Sequence, residues 1–188
     1  TIAAVGAEVT DWTVGDRVAV NHHIPCLSPD CFYCHRKAFA QCPVYKKTGV
    51  TAGFEPAGGG FGEYGRVLDW CVAGMGRGPD GVTLEEASLI EPLNTCLKGV
   101  RMAGVLPGDT VFVIGQGPIG MLFTRLTVLA GARVVATDRF PYRRQIALKL
   151  GALEALDPEE DVAGAIRKIS EGRGADLAIV AVPNTQVV

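Results

Sequence analysis

Residues 110–120 read TVFVIGQGPIG, an apolar run followed at once by three glycines in a G-x-G-x-x-G arrangement. An apolar run of this kind is typical of a strand that is buried on both faces of a parallel sheet. Gly115 permits a tight turn after the strand, Gly117 leaves room for a ligand to approach the backbone, and Gly120 lets the next helix pack closely. The stretch therefore predicts a strand, a tight turn and a helix in immediate succession.

The residues around this stretch alternate between extended and helical patterns. Strands are predicted at residues 110–114, 133–137, 155–156 and 176–182, and helices at residues 118–130, 142–150 and 158–169. Short connections between alternating strands and helices indicate βαβ units. The fold class predicted here is α/β, a Rossmann-type doubly wound parallel sheet.

An acidic residue, Asp138, ends the second predicted strand, and this context favours a dinucleotide site over a merely structural glycine turn. The pyrophosphate would bind at the helix N-terminus, where unpaired N–H groups point outward. The Asp138 carboxylate would accept hydrogen bonds from ribose hydroxyls. The predicted cofactor-binding residues of the glycine loop are Gly115, Gln116, Gly117, Pro118, Ile119 and Gly120.

The charges near Asp138 bear on the choice between NAD and NADP. A carboxylate repels a 2′-phosphate, so NAD is the favoured cofactor and NADP the less favoured one. Arg139 and Arg143 are also predicted cofactor contacts, and an adjacent guanidinium can accommodate that phosphate. For Arg143 and Arg144, a solvated helix face is the alternative interpretation.

Upstream, residues 26–42 read CLSPDCFYCHRKAFAQC and place Cys26, Cys31, Cys34 and Cys42 in a C-x4-C-x2-C-x7-C arrangement. Four thiolates converging from one loop suit a tetrahedral zinc ion. A closed four-sulfur site is structural, because it leaves no position for water or substrate. The spacing therefore predicts a zinc-stabilised lobe at residues 26–42.

Two other interpretations of the cysteines stay open. Residues 31–35 match the C-x-x-C-H pattern of haem attachment, which would leave Cys26 and Cys42 without a role. A disulfide framework is the other alternative, but the chain shows no secretory signal. The histidines are interpreted as surface or supporting residues rather than as ligands; they are His22, His23 and His35.

The composition is that of an ordinary soluble globular protein, with 48% hydrophobic and 20% charged residues. A net charge of −2 offers no basis for binding nucleic acid or an anionic membrane. The chain also lacks an apolar run of about eighteen residues, the length expected of a transmembrane helix. Nucleic acid and membrane are therefore excluded as partners, and reduced cysteines suit a cytoplasmic location.

The organisation along the chain changes near residue 83. Residues 1–72 are rich in loops and short strand patterns, at residues 1–5 and 17–20, and a capping box at Thr83 then begins a helical pattern. Pro92 is expected to split or kink that helix. The predicted domains are residues 1–92 and 93–188. Because both ends fall within strand patterns, the chain is expected to be a fragment.

Several segments in combination resemble the zinc-containing medium-chain alcohol and polyol dehydrogenases, in particular the sorbitol and threonine dehydrogenase-like members. Besides the four cysteines, the segments are GDRV at 15–18, FGEY at 61–64, EPL at 91–93 and PGDTV at 107–111. The resemblance implies that residues 1–92 are part of a β-rich GroES-like catalytic domain and that residues 93–188 are part of an NAD-binding domain. The first cysteine spacing departs from the family, which has two intervening residues where this chain has four.

The same resemblance implies a second, catalytic zinc. Two of its ligands in the family, a Cys and a His followed by Glu, lie upstream of the position of Thr1 and are absent from this sequence. Glu91 matches a glutamate at the catalytic metal, so it is the predicted catalytic residue and metal ligand. The alternative for Glu91 is a helix-end carboxylate, and Glu63 matches a family position interpreted as structural.

The activity implied by the resemblance is zinc-dependent hydride transfer between a small-molecule alcohol or polyol and NAD(P). Two alternatives stay open: a non-catalytic zinc-stabilised dinucleotide-binding or redox-sensing module, and a zinc-free quinone reductase, for which four convergent cysteines have no use. The resemblance also implies a homo-oligomer, a dimer or tetramer. This stretch alone is expected to bind structural zinc, to bind the ADP half of NAD weakly, and not to turn over.

Overall fold

The computed structural model describes residues 1–21, 23–45 and 62–183. The chain divides into two compact units, Thr1–Ser88 and Leu89–Val188. His22 and Phe61, both singled out in the sequence, lie outside the described residues. Within the described ranges, no helix has the length and apolar character needed to cross a membrane.

The first unit contains a two-stranded antiparallel sheet, formed by β1 (Val18–Val20) and β2 (Met75–Arg77). Its other described elements are short: α1 (Phe32–His35), α2 (Leu84–Ala87), and 3-10 turns at Phe39–Gln41 and Asp69–Gly74. A small buried apolar cluster consists of Ile24, Leu68 and Cys71, with Val67 packed against it. The unit therefore holds little regular structure in its described part.

The strand predicted at residues 1–5 is wrong. Ile2 donates a backbone hydrogen bond to the Asp16 carbonyl and accepts one from the Gly15 N–H, each 2.9 Å long, but no ladder follows from this exchange. A strand needs a partner along its length. An apolar pattern in the sequence cannot show whether such a partner is present.

The capping box at Thr83 is confirmed. The Thr83 hydroxyl accepts a hydrogen bond from the Glu86 N–H, and the Glu86 carboxylate accepts one from the Thr83 N–H. The helical pattern breaks after α2 rather than at Pro92, because Pro92 lies in the first turn of α3 (Ile90–Ala103), where a missing N–H costs no helix hydrogen bond. The predicted boundary at residues 92/93 thus falls inside α3.

The second unit is built on a four-stranded parallel sheet in the order β5-β4-β3-β6. The strands are β3 (Thr110–Ile114), β4 (Arg133–Thr137), β5 (Glu154–Leu156) and β6 (Leu177–Val180). The helices that follow the first three of them are α4 (Pro118–Leu129), α5 (Pro141–Lys149) and α6 (Val162–Ile169). The strand order reverses beside β3, and doubly wound sheets bind ligands at the carboxyl ends of the strands at such a point.

The core of this unit lies on β3 and β4. Val111 and Val134 are fully buried on one face of the sheet, and Thr110 and Val135 are fully buried on the other, which confirms that these strands are covered on both faces. Helix α6 begins later than predicted because Asp161 caps it, its carboxylate accepting a hydrogen bond from the Gly164 N–H at 2.8 Å.

Candidate functional site

The four predicted cysteine ligands converge. Their Sγ atoms all lie within 4.8 Å of one another, and the Cys26 and Cys34 sulfurs are 3.7 Å apart. Four sulfurs at about 2.3 Å from a tetrahedral zinc would be about 3.8 Å from each other. A disulfide would need a separation of about 2.05 Å, and none of these four cysteines is in a disulfide. The geometry fits a four-thiolate zinc centre.

A turn between Cys26 and Cys31 accommodates the long spacing of the first two cysteines. The Cys31 N–H donates to the Ser28 carbonyl at 3.2 Å, and Pro29 occupies the second position of this four-residue turn, which its fixed φ favours. The Asp30 N–H also donates to the Ser28 hydroxyl, at 3.2 Å. The turn reverses the chain between Cys26 and Cys31, so both cysteines still reach the cluster despite the two extra residues.

The local environment makes the four thiols unequal. The Cys42 sulfur accepts a hydrogen bond from the Cys26 N–H at 3.4 Å, and this lowers the pKa of Cys42 to about 6. Burial raises the pKa of Cys34 to about 12. Near neutral pH the protein alone would therefore leave Cys34 protonated, and a divalent cation is the partner that ionises the full set. His35 is exposed and lies outside the cluster.

The glycine loop contains two kinds of glycine. Gly115 has a left-handed backbone (φ 88°), and a Cβ there would collide with Val182; a Cβ on Gly120 would collide with the Gly115 carbonyl. The fold itself requires these two. Gly117 differs, because its φ is −72° and an added Cβ would meet no protein atom within 4 Å. Its lack of a side chain leaves open space beside the loop, where a phosphate cradle requires it.

Gly117 is also the N-cap of α4. No side chain caps this end of the helix, Pro118 follows directly, and both Pro118 and Ile119 are exposed. The first N–H groups of a helix carry a partial positive charge and bind anions. Open space at Gly117 and an uncapped helix end thus coincide, and the residues present fit a pyrophosphate.

Gln116 is placed differently from its loop neighbours. Its side chain is fully buried, and its Oε1 accepts a hydrogen bond from the Thr124 hydroxyl at 3.0 Å. Its Nε2 has no hydrogen-bond partner among the described residues. Gln116 therefore contributes to the site through its backbone, since its N–H donates to Asp138 Oδ2 at 2.7 Å.

Asp138 lies directly after β4 and is 7% exposed. Besides the Gln116 N–H on Oδ2, its Oδ1 accepts the Phe140 N–H at 2.8 Å. The carboxylate thus joins the glycine loop to the turn after β4. The sequence did not predict this structural role. A carboxylate has about four lone-pair positions, so acceptor capacity remains for ribose hydroxyls.

The three arginines after Asp138 have different partners. Arg144 is committed to the fold, because it donates to the Asp138 carbonyl at 2.7 Å and to the Asp157 carboxylate at 2.8 Å. Arg143 lies with its guanidinium carbon 4.8 Å from the Phe140 ring centroid, and its Nε donates to the Tyr142 hydroxyl at 3.0 Å. Arg139 is exposed. The solvated-face interpretation therefore fits neither Arg143 nor Arg144.

Glu91 is exposed in the first turn of α3, where its carboxylate accepts a hydrogen bond from the Thr95 hydroxyl at 2.9 Å. In the part of the chain that the structure describes, the four cysteines are the one group of three or more clustered metal-ligating side chains, and Glu91 is not in it. Its assignment to a catalytic metal stays a prediction.

Two family models match the chain. The model of the alcohol dehydrogenase GroES-like domain matches residues 1–75, and the model of the zinc-binding dehydrogenase matches residues 118–188. Together with the parallel sheet, the glycine loop and the four-thiol lobe, these matches establish the class. The chain belongs to the zinc-containing medium-chain alcohol and polyol dehydrogenase family.

The chain is also similar to individual dehydrogenases and reductases. The chain is 32% identical over 179 residues to a sorbitol dehydrogenase of Bacillus subtilis, covering 94% of this chain and 48% of the relative. It is 35% identical over 190 residues to a probable D-xylulose reductase A of Emericella nidulans, covering 95% and 49%. The chain thus spans about half the length of these relatives.

Among solved structures, a putative zinc-binding dehydrogenase from Sinorhizobium meliloti bound to NADP superposes with a TM-score of 0.80 at 28% identity. The match covers 98% of this chain and 52% of that one.

Proposed function

We propose that the protein is a zinc-dependent oxidoreductase that transfers a hydride between an alcohol or polyol and a nicotinamide dinucleotide. The observation that carries the proposal is Gly117, a glycine that the fold does not need and that borders open space at an uncapped helix end. Such a position is explained by a ligand that approaches the backbone. The family supplies the reaction type, and the names of the relatives favour polyols as substrates.

The two kinds of site have separate tasks. When bound, the dinucleotide carries the hydride and a catalytic zinc polarises the substrate oxygen. The N–H groups at the start of α4 hold the pyrophosphate, and the Asp138 carboxylate orients the adenosine ribose through its remaining lone pairs. The four cysteines hold a structural zinc and take no part in the chemistry, because a four-sulfur site is closed to substrate.

The finer assignments are parts of the same proposal. NAD is the preferred cofactor because Asp138 is a carboxylate where a 2′-phosphate would lie. Glu91 serves at the catalytic metal, directly or through a water. Arg139 and Arg143 contact the cofactor. We also propose that the protein is a cytoplasmic homo-oligomer that acts on small alcohols.

The test compares two glycine substitutions in protein that carries its native flanking sequence. Gly117→Ala should weaken binding of NAD by tenfold or more, about 1.4 kcal/mol, because a methyl group enters the phosphate cradle. Its cost to stability should stay below about 1 kcal/mol, since only a helix N-cap changes. Gly76→Ala is the matched control, because a Cβ there also meets no atom.

The readouts are calorimetric NAD binding, zinc content by mass spectrometry, and nicotinamide absorbance during a screen of polyols. We expect two zinc ions per chain and turnover of at least one polyol. Unchanged NAD affinity in Gly117→Ala, or NAD binding without turnover of any alcohol, would contradict the proposal. The second result would favour the non-catalytic module instead.

A further inference from the structure

The zinc lobe holds one of its four cysteines differently from the other three. Cys26 is exposed and lies in no helix, strand or 3-10 turn, whereas Cys31 is the N-cap residue of α1 and Cys34 lies within that helix. Cys42 is 4% exposed and directly follows the 3-10 turn at Phe39–Gln41. Cys26 is thus the ligand that an oxidant dissolved in water reaches first.

A second sulfur lies within reach of Cys26. The Cys26 and Cys34 sulfurs are 3.7 Å apart, so a disulfide of about 2.05 Å requires the two atoms to approach by only about 1.7 Å. Cys34 is 8% exposed, so a dissolved oxidant has poor access to it. The pair therefore combines an exposed sulfur that is oxidised first with a buried sulfur that can resolve it.

The backbone next to Cys26 favours its release from the ligand set. Leu27 has a φ of 53°, a left-handed conformation that a residue with a Cβ adopts at a cost in free energy. Its side chain is 49% exposed, so apolar packing contributes little to holding that conformation. Loss of Cys26 as a ligand therefore frees a strained segment rather than a packed one.

We propose that the lobe is a peroxide-responsive switch in which oxidation joins Cys26 to Cys34 as a disulfide and releases the zinc ion. The proposal goes beyond the hydride-transfer function, because it gives a chemistry to a site that has no part in that reaction. Oxidation removes two of the four ligands, and the remaining two thiolates do not close a tetrahedral site. Since metal binding and lobe folding are one event, the lobe then unfolds.

The reaction balances with hydrogen peroxide as the oxidant. The Cys26 thiolate attacks one peroxide oxygen, the O–O bond breaks, and the sulfur becomes a sulfenic acid while hydroxide leaves. The Cys34 thiolate then attacks the Cys26 sulfur, so that the S–S bond forms, the S–O bond breaks and a second hydroxide leaves. Two protons from solvent convert the hydroxides to water. Two thiolates thus lose two electrons, and one peroxide molecule gains them.

The test treats the zinc-loaded protein, with its native flanking sequence, with a small excess of hydrogen peroxide. Zinc release is followed with a chromogenic chelator, and disulfides are mapped by mass spectrometry of peptides from unreduced protein. We expect one zinc ion to leave for each Cys26–Cys34 disulfide formed, and dithiothreitol with added zinc to reverse both changes. Cys71 and Cys96 are the internal controls, because they are at most 1% exposed and should stay reduced.

Two variants separate the role of Cys26 from the mere presence of the metal. Cys26→His keeps a four-ligand site, since three cysteines and one histidine also hold structural zinc, but it removes the sulfur that reacts first. It should release zinc at least about tenfold more slowly than the wild type at the same peroxide concentration. Cys31→His is the matched control, because it exchanges a half-buried ligand of the same lobe and keeps the Cys26–Cys34 pair. It should release zinc within about threefold of the wild-type rate.

Several results would overturn the proposal. They are a first disulfide between Cys31 and Cys34, oxidation to sulfinic acid without any disulfide, retention of zinc by the oxidised wild type, and release from Cys26→His at the wild-type rate. If Cys26→His binds no zinc in the lobe, the disulfide map of the wild type decides alone. None of these results bears on the dinucleotide site, so hydride transfer stands or falls by its own test.

Discussion

In the lobe of residues 26–42, large apolar side chains are exposed, whereas two of the four cysteines are buried. Leu27, Phe32 and Phe39 are 40–61% exposed, whereas Cys34 and Cys42 are buried. In the sheet of the second unit the arrangement is the reverse, since the apolar side chains of Val111 and Val134 are fully buried. The sheet can bury enough apolar surface to stabilise itself, and the lobe cannot. A bound ion has to supply what the lobe lacks.

The largest effect that this comparison predicts is loss of a zinc ligand. Cys34→Ser should remove one zinc per chain and unfold the lobe, because metal binding and lobe folding are one event. Limited proteolysis should then cut within residues 26–42 while the second unit stays intact. Cys96→Ala, which alters a buried thiol outside the cluster, should keep its zinc. A protease-resistant lobe in metal-free Cys34→Ser would show that the lobe needs no ion.

A smaller effect is expected from Gly120→Ala in the sheet unit. The new Cβ meets the Gly115 carbonyl, so α4 has to move away from the loop, at a cost of about 1–3 kcal/mol. Chemical denaturation measures this cost, which should exceed that of Gly117→Ala. Equal stabilities for the two variants would mean that the glycines do not differ in role.

Without its ion the lobe is mostly unfolded, and the small folded population that remains should respond to pH in a defined direction. The pKa of Cys42 is lowered to about 6, so between that value and its unfolded pKa of about 8.5 the folded state binds fewer protons, and stability rises with pH. The pKa of Cys34 is raised to about 12, so stability falls again above about 8.5. Proteolysis rates of the chelated protein should therefore be lowest near pH 8.5. In Cys42→Ser, the proteolysis rate should not increase as the pH falls below about 8.5.

The smallest effect concerns a local contact that neither the ion nor the sheet influences. Thr83→Ala removes the capping box at α2 and should lower the free energy of unfolding of the first unit by about 1 kcal/mol. Glu85→Gln, in the same turn but outside the box, serves as the control in denaturant titrations. A loss of zinc in Thr83→Ala would show that the lobe and this helix are coupled.

The parts of the fold that were predictable are those that depend on local residues. β3 and β4 match their predicted bounds because strands buried on both faces read as continuous apolar runs. The strand at residues 1–5 failed because its pairing is non-local. The start of α6 was placed too early because Asp161, a capping residue, was read as part of the helix.

The site, too, has local features that the sequence predicts and non-local contacts that it does not. Glycine and cysteine spacings are local, so the loop and the four-thiol cluster were predictable, including the ligand count of the lengthened first spacing. The hydrogen bond from the Gln116 N–H to Asp138 joins the loops that follow two different strands, and the pairing of Arg144 with Asp157 joins two further segments. Such contacts follow from the packed sheet and carry no sequence signature.

Asp138 accepts hydrogen bonds from two backbone N–H groups, and these bonds limit how the cofactor preference can be changed by mutation. Replacing Asp138 with a neutral residue, an obvious route towards NADP, would leave the Gln116 and Phe140 N–H groups without their charged acceptor in a buried setting. An evolving or engineered lineage would lose folded protein before it gained the new preference.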